Sequence, residues 1–231
     1  MNLLEHLEEL RIRLVVVGLS FLIIFMVFIA ISPLAAQLLS KSTGIDFVTL
    51  HPAEAVIAYV RLALFLAVLA VMPIALYHLY LFIAPALRRA ELRAALITLP
   101  FSVVMFYAGV LFGYAVIVRL GLPFLAMLST RAGLTPLWSF DSVVDYIVFS
   151  CLVMGLVFQM PIVMIWLSRL GLLSPARIRA AQRHVIIACF VLAAVITPTL
   201  DIFSQVLVAV PLIILFEISI VLARLLRGAS R

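Results

Sequence analysis

Charge is scarce in this chain. Only 11% of its 231 residues are Asp, Glu, Lys or Arg, against 67% hydrophobic, and the mean hydropathy is +1.35. A soluble globular domain keeps roughly a quarter of its residues charged, so the composition excludes that class and leaves an integral membrane protein. Lysine is nearly missing, with Lys41 the single one among 16 basic residues. The formal charge of +6 therefore rests on arginine, and in a chain this apolar such an excess orients loops. Nucleic acid is set aside as a partner. Cysteine occurs twice, at Cys151 and Cys189, both inside apolar runs where a thiol behaves as a small hydrophobe, with spacing for neither a metal nor a disulfide. The four histidines, His6, His51, His78 and His184, are scattered. No grouping of Ser, His and acid or of His and Glu offers a nucleophile or metal site, so an enzyme is not expected, nor a cofactor. Internal repeats are also lacking, which counts against the alternative of a secondary transporter of small solutes.

What the chain has instead is apolar runs. Six recur, at about 14–31, 62–83, 94–118, 143–170, 185–197 and 206–222, and they leave no stretch for a soluble domain. The chain reads as an all-α integral membrane protein, a single membrane domain over residues 1–231 with six transmembrane helices, the last two short. Ser32-Pro33 closes the first run. That run lacks a small-residue cleavage site before the next polar stretch, so it reads as a retained helix with the mature chain starting at Met1. Residues 34–60 carry Lys41, Gly44, Asp46, Pro52 and Glu54 and are expected to form a structured outer cap with helical patches. Pro73 implies a kink in the second span. Gly109 and Gly113 have small-xxx-small spacing, which fits a close helix approach and equally an incidental pairing.

Arg119 is expected to open a second long loop, through Arg131, Pro136, Trp138 and Asp141, with Trp138 suited to the interfacial aromatic belt. The fifth run, 185–197, has 13 residues, reaching about 20 Å as a helix against a hydrocarbon core of about 30 Å. Two short true spans are favoured over a re-entrant hairpin, which would leave Asp201 at mid-membrane depth.

The densest charge lies at the start, where Glu5, Glu8, Glu9, Arg11 and Arg13 directly precede the first span. Six spans put both termini on one side. That side collects Arg11, Arg13, Arg88, Arg89, Arg93, Arg169, Arg177, Arg179, Arg183, Arg224, Arg227 and Arg231, against Lys41, Arg61, Arg119 and Arg131 on the other. Twelve against four places both termini in the cytoplasm, and with them Glu5, Glu8, Glu9 and Glu91. Carboxylates at that rim suit bidentate acceptance of guanidinium groups. Local ion pairs with neighbouring arginines are the plainer account of the same residues.

His6-Leu7-Glu8-Glu9-Leu10-Arg11-Ile12-Arg13-Leu14 resembles the amino-terminal signature of the TatC family, the multispanning receptor subunits of the twin-arginine protein translocase. Further matches follow in family order: Ser32-Pro33-Leu34, His51-Pro52-Ala53-Glu54-Ala55, Phe82-Ile83-Ala84-Pro85-Ala86-Leu87 with Glu91, Thr197-Pro198 followed by Asp201, Phe203, Ser204 and Gln205, then Pro211 and Phe216-Glu217. Together they cover nearly the whole chain. The resemblance implies a concave six-helix bundle in the cytoplasmic (inner) membrane. It implies a receptor for signal peptides with consecutive arginines on folded precursors, powered by the proton-motive force. Its partners would be small single-helix Tat subunits of the TatA and TatB type, in an oligomeric complex in membrane lipid. By motif position, Glu9 and Glu91 would read the arginine pair, and Leu7, Arg11, Phe82 and Pro85 would shape the same surface. Asp201 and Gln205 match a polar turn on the far side. One departure stands out: many members carry Phe-Glu-x-Pro in the fourth span, where this chain reads Phe158-Gln159-Met160-Pro161. An amide keeps the hydrogen bonding, for a partner helix, a cavity or equally the backbone freed by Pro161, and loses the titratable proton.

Overall fold

The computed structural model describes residues 3–43, 47–83, 89–169, 182–196 and 202–228, with side chains placed for a smaller set beginning at Glu5. Among them the chain is helical apart from turns and one isolated parallel bridge between Val48 and Ser139. In chain order the helices are α1 (Leu3–Thr43), α2 (Glu54–Ile83), α3 (Arg89–Phe112), a π-helical turn (Gly113–Val118), α4 (Arg119–Arg131), α5 (Phe140–Val157), α6 (Met160–Arg169), α7 (Gln182–Ile196) and α8 (Ile202–Gly228). By length and composition, four stretches among the described residues can cross a membrane: Glu5–Thr43, Glu54–Ile83, Thr98–Arg131 and Phe140–Ser168. The apolar parts of α7 and α8, Gln182–Ala194 and Gln205–Val221, are shorter, in keeping with the length of the last two runs.

Two sequence expectations about helix ends are corrected. Ser32-Pro33 does not close the first helix, which runs on to Thr43, 41 residues and about 60 Å at the α-helical rise. Proline lacks the N–H that would bond the carbonyl four residues back, here Ile29. The Ser32 hydroxyl donates to that same Ile29 carbonyl at 2.8 Å, so the break in the backbone ladder is filled and the helix continues. Nor does Arg119 open a loop. Residues 120–128 are apolar throughout, and α4 carries the helix to Arg131. It stops at Gly133, whose φ of +77° is reached readily only without a side chain. There the Gly133 N–H donates to Thr130 and the Leu134 N–H to Ser129, closing the helix in a Schellman motif. The connection to α5 is therefore short, residues 132–139.

The contacts group the chain into two compact units, Met1–Val104 with Leu137–Val148, and Met105–Pro136 with Phe149–Arg231. In the first unit α1 packs along α2. The segment joining them is held by backbone bonds on both sides of one residue: Val48 donates to Trp138 at 3.2 Å and accepts from Phe140 at 3.0 Å. The expected outer cap thus has its order from strand-like pairing of a few residues, with helix on either side. Tyr80 and Ser102 share a hydroxyl–hydroxyl bond of 2.8 Å between α2 and α3.

In the second unit the glycine spacing proves to be a close approach. A β-carbon added at Gly109 would overlap the Met154 carbonyl oxygen and lie 2.8 Å from Phe158; one added at Gly113 would lie 2.9 Å from the Ser150 carbonyl oxygen. Gly155 answers from α5, with the Phe106 ring 2.7 Å from its would-be β-carbon. Around Phe216 and Ile220 of α8, Met164 of α6 and Val185 of α7 complete a small core. Cys151 and Cys189 are free and buried, as small hydrophobes. The fourth apolar run is interrupted at Phe158–Gln159, between α5 and α6. Pro161 removes the donor that would bond Val157, and the Ile162 and Val163 N–H groups both turn back to the Gln159 carbonyl, at 3.1 and 3.0 Å.

Candidate functional site

The charged start of the chain is the first three turns of α1, and the sequence makes it helical with one mixed face. Positions 5, 8, 9, 12, 13 and 16 recur at the spacing of one helix side. That side meets the end of α2, and Glu5, Glu8, Glu9, Ile12, Arg13, Val16 and His78 line a concavity of about 450 Å³ between the two helices. Three carboxylates face one guanidinium there, so the concavity favours a cationic ligand. Ile12 and Val16 add apolar surface among these polar side chains.

Glu9 is paired within its own helix. Arg13, one turn on, donates from Nη2 to its Oε1. Its other oxygen, Oε2, lies 3.8 Å from His6 Nδ1, too far for a hydrogen bond. Glu9 Oε2, Arg13 Nε and His78 Nδ1 are buried polar atoms without a hydrogen-bond partner, and all three residues line the concavity. The His6 ring stacks on Phe82 with centroids 4.3 Å apart and planes 12° from parallel, which clips the start of α1 to the last turn of α2.

Of the residues singled out from the sequence, Glu9 and Phe82 are brought together at this junction, joined through His6. Leu7 is 58% exposed and Arg11 is exposed, both away from the concavity. Glu91 lies on the first turn of α3, and its side chain, like Pro85, is outside the described residues. Sequence reasoning missed His78 and undervalued His6, Glu5 and Glu8. The signal was present: His78 and Phe82 are four apart on α2, as are Glu5 and Glu9, and Glu9 and Arg13, on α1.

Elsewhere, Asp201 is outside the described residues, while Gln205 Nε2 donates to the Phe190 carbonyl at 3.1 Å and ties the start of α8 to α7. Phe203 beside it stacks on Phe124 of α4 at 4.1 Å. Gln159 forms the turn between α5 and α6 described above. Glu217 accepts from the Gln182 amide, joining α8 to α7. Among the described residues, no group of three or more His, Cys, Asp or Glu is placed to hold a metal ion.

Residues 5–211 match the family described as Sec-independent protein translocase protein (TatC). The chain is 33% identical to the Sec-independent protein translocase protein TatC of Aquifex aeolicus, over 97% of this chain and 95% of that one. It is 34% identical to TatCd of Bacillus subtilis, over 96% and 91%. Its fold superposes on a crystal structure of the twin arginine translocase receptor TatC with a TM-score of 0.83 at 33% identity, covering 98% of this chain and 100% of that one. A second crystal structure of that receptor, in DDM, gives a TM-score of 0.84 at 32% identity, over 94% and 99%. A match over most of the length in sequence and in fold leaves one assignment: this multispanning membrane protein belongs to the TatC family of Sec-independent protein translocase proteins.

Proposed function

We propose that this chain is the signal-peptide receptor and core subunit of a twin-arginine translocase, a single six-span membrane domain with both termini in the cytoplasm. Glu9 and Glu91 take the paired arginines of a folded precursor's signal peptide, and Leu7, Arg11, Phe82 and Pro85 shape the surface around them. Export is driven by the proton-motive force, in an oligomeric complex with small single-helix subunits of the TatA and TatB type. Gln159 serves as an intramembrane polar contact for a partner helix, and Asp201 and Gln205 hold the far-side turn for assembly.

The observation that carries this reading is the setting of Glu9: a carboxylate in a concavity with Glu5 and Glu8, one of its oxygens unbonded, beside the Phe82 end of α2. The twelve-to-four arginine and lysine asymmetry supports the cytoplasmic side. A guanidinium gains two parallel bonds on a carboxylate where an ammonium gains one, so the site would prefer arginine to lysine.

Binding of a fluorescent twin-arginine peptide to the chain in detergent tests it. Glu9→Gln and Glu91→Gln should each weaken binding by on the order of tenfold or more, the scale of one charge-assisted hydrogen bond. A twin-lysine peptide should bind the unaltered chain more weakly by a similar factor. Full-strength binding to the double variant would dispose of the site.

A further inference from the structure

We propose that Arg13 is a resident competitor of this site: it occupies Glu9 in the unliganded receptor and must be displaced before a ligand guanidinium can make both of its bonds. The inference rests on the receptor reading above and adds the residue that sets its affinity.

Glu9 and Arg13 are one turn apart with the acid on the amino-terminal side, the order that favours an ion pair on a helix. The pair is only half made. Arg13 donates from Nη2 to Oε1, while its Nε and the carboxylate's Oε2 have no hydrogen-bond partner. A guanidinium fork can satisfy two carboxylate oxygens with two parallel bonds. Tethered to the same helix, Arg13 uses one of the two, whereas an arginine arriving in the concavity is free to approach the carboxylate along its fork axis and use both. The exchange is one bond for two. It returns Arg13 to a position where its side chain, already 19% exposed, can be solvated.

The competition has a quantitative signature. A resident group that blocks Glu9 weakens every ligand using Glu9 by the same factor, because the cost lies in the empty receptor and not in the ligand. Arg13 therefore lowers absolute affinity and leaves the ratio between arginine and lysine peptides untouched. The site would stay closed to weak cationic segments, since the threshold moves for all of them.

The test is a double-mutant cycle on the full chain in detergent, read by anisotropy with a twin-arginine and a twin-lysine peptide. Arg13→Gln should tighten both peptides by one common factor, about two- to tenfold, the range of a half-buried helical ion pair. In the Glu9→Gln background the same change should have no effect on the residual binding, because there is no carboxylate left to vacate. Weaker binding in Arg13→Gln would overturn the proposal and make Arg13 a ligand contact or a brace for Glu9. Tightening of equal size in the Glu9→Gln background would overturn it too, reducing Arg13 to a general positive field, as would a changed arginine-to-lysine ratio. If the unaltered chain binds neither peptide, the receptor reading falls first and takes this one with it.

Discussion

Gly109→Ala is expected to destabilise the second unit by on the order of 3 kcal/mol, the upper part of the usual range for overpacking a filled core. The added methyl has nowhere to go. It would meet the Met154 carbonyl oxygen and Phe158 Cβ and Cγ, both at 2.8 Å, so relief requires moving the α5 backbone, not a flexible side-chain tip. Gly113 faces Ser150 and Cys151 backbone one turn further along, and Gly155 faces Phe106 from the other helix, so a shift at one of the three is resisted by the other two. At roughly 2–4 °C per kcal/mol for a chain of this size, the melting midpoint in detergent should fall by about 6–12 °C. Gly18→Ala is the matched control, with nothing within 4 Å of its would-be β-carbon, and helix propensity alone favours alanine there. A midpoint for Gly109→Ala within a degree of the Gly18→Ala value would mean that α3 and α5 do not meet at this seam.

The sequence carried this seam as a spacing and no more. Gly109 and Gly113 four apart state that a helix can be approached closely; they do not name the helix that approaches. Naming it takes Gly155 and Ser150, which are small residues in an apolar run and indistinguishable from ordinary span residues until the partners meet. Charge misled at Arg119, because a lone arginine in an apolar sequence was weighed as a membrane boundary, whereas backbone hydrogen bonding through Leu120–Leu128 carries the helix past it. Proline misled at Pro33 for a related reason: a serine one residue earlier supplies the missing bond, a compensation visible in the pair Ser32-Pro33 only when the hydroxyl's target is known.

At the candidate site, the acidic stretch was legible as a concentration of charge directly before a membrane span, and the local ion pair that the sequence offered as its plainer account is present between Glu9 and Arg13. The α2 wall was less legible. His78 lies in the middle of an apolar run, and nothing local distinguishes a packed histidine from one lining a concavity; only the meeting of α1 with the end of α2 decides it. The ion-pair account of Glu9 has its counterpart in the pair with Arg13, which leaves the second carboxylate oxygen without a hydrogen-bond partner.

Glu54→Gln should disorganise the connection between α1 and α2. Glu54 is a buried residue, and its carboxylate accepts three backbone N–H groups. Oε2 takes Leu50 at 2.6 Å and His51 at 3.3 Å; Oε1 takes Asp141 at 3.2 Å. Every one of those partners is a donor, so an isosteric amide must turn its NH2 toward a donor on one side or the other. Kept on Leu50 and His51, the amide loses Asp141 and with it the tie to the start of α5. Turned round, it loses the connection's own turn. Arg61 cannot substitute, because it bonds the side chains of Asp141 and Asp145, at 3.1 and 3.3 Å, and leaves the backbone N–H groups unmet. The melting midpoint is expected to drop by roughly 5 °C, given that hydrogen bonds to a charged acceptor are worth more than ordinary ones. Cleavage by a protease added to the side exposing residues 47–53 should rise with it. Arg61→Gln, which removes pairs formed by a side chain 38% exposed, should shift the midpoint by much less. Equal shifts for the two variants would show that charge pairing, and not the three backbone bonds, holds this connection in place.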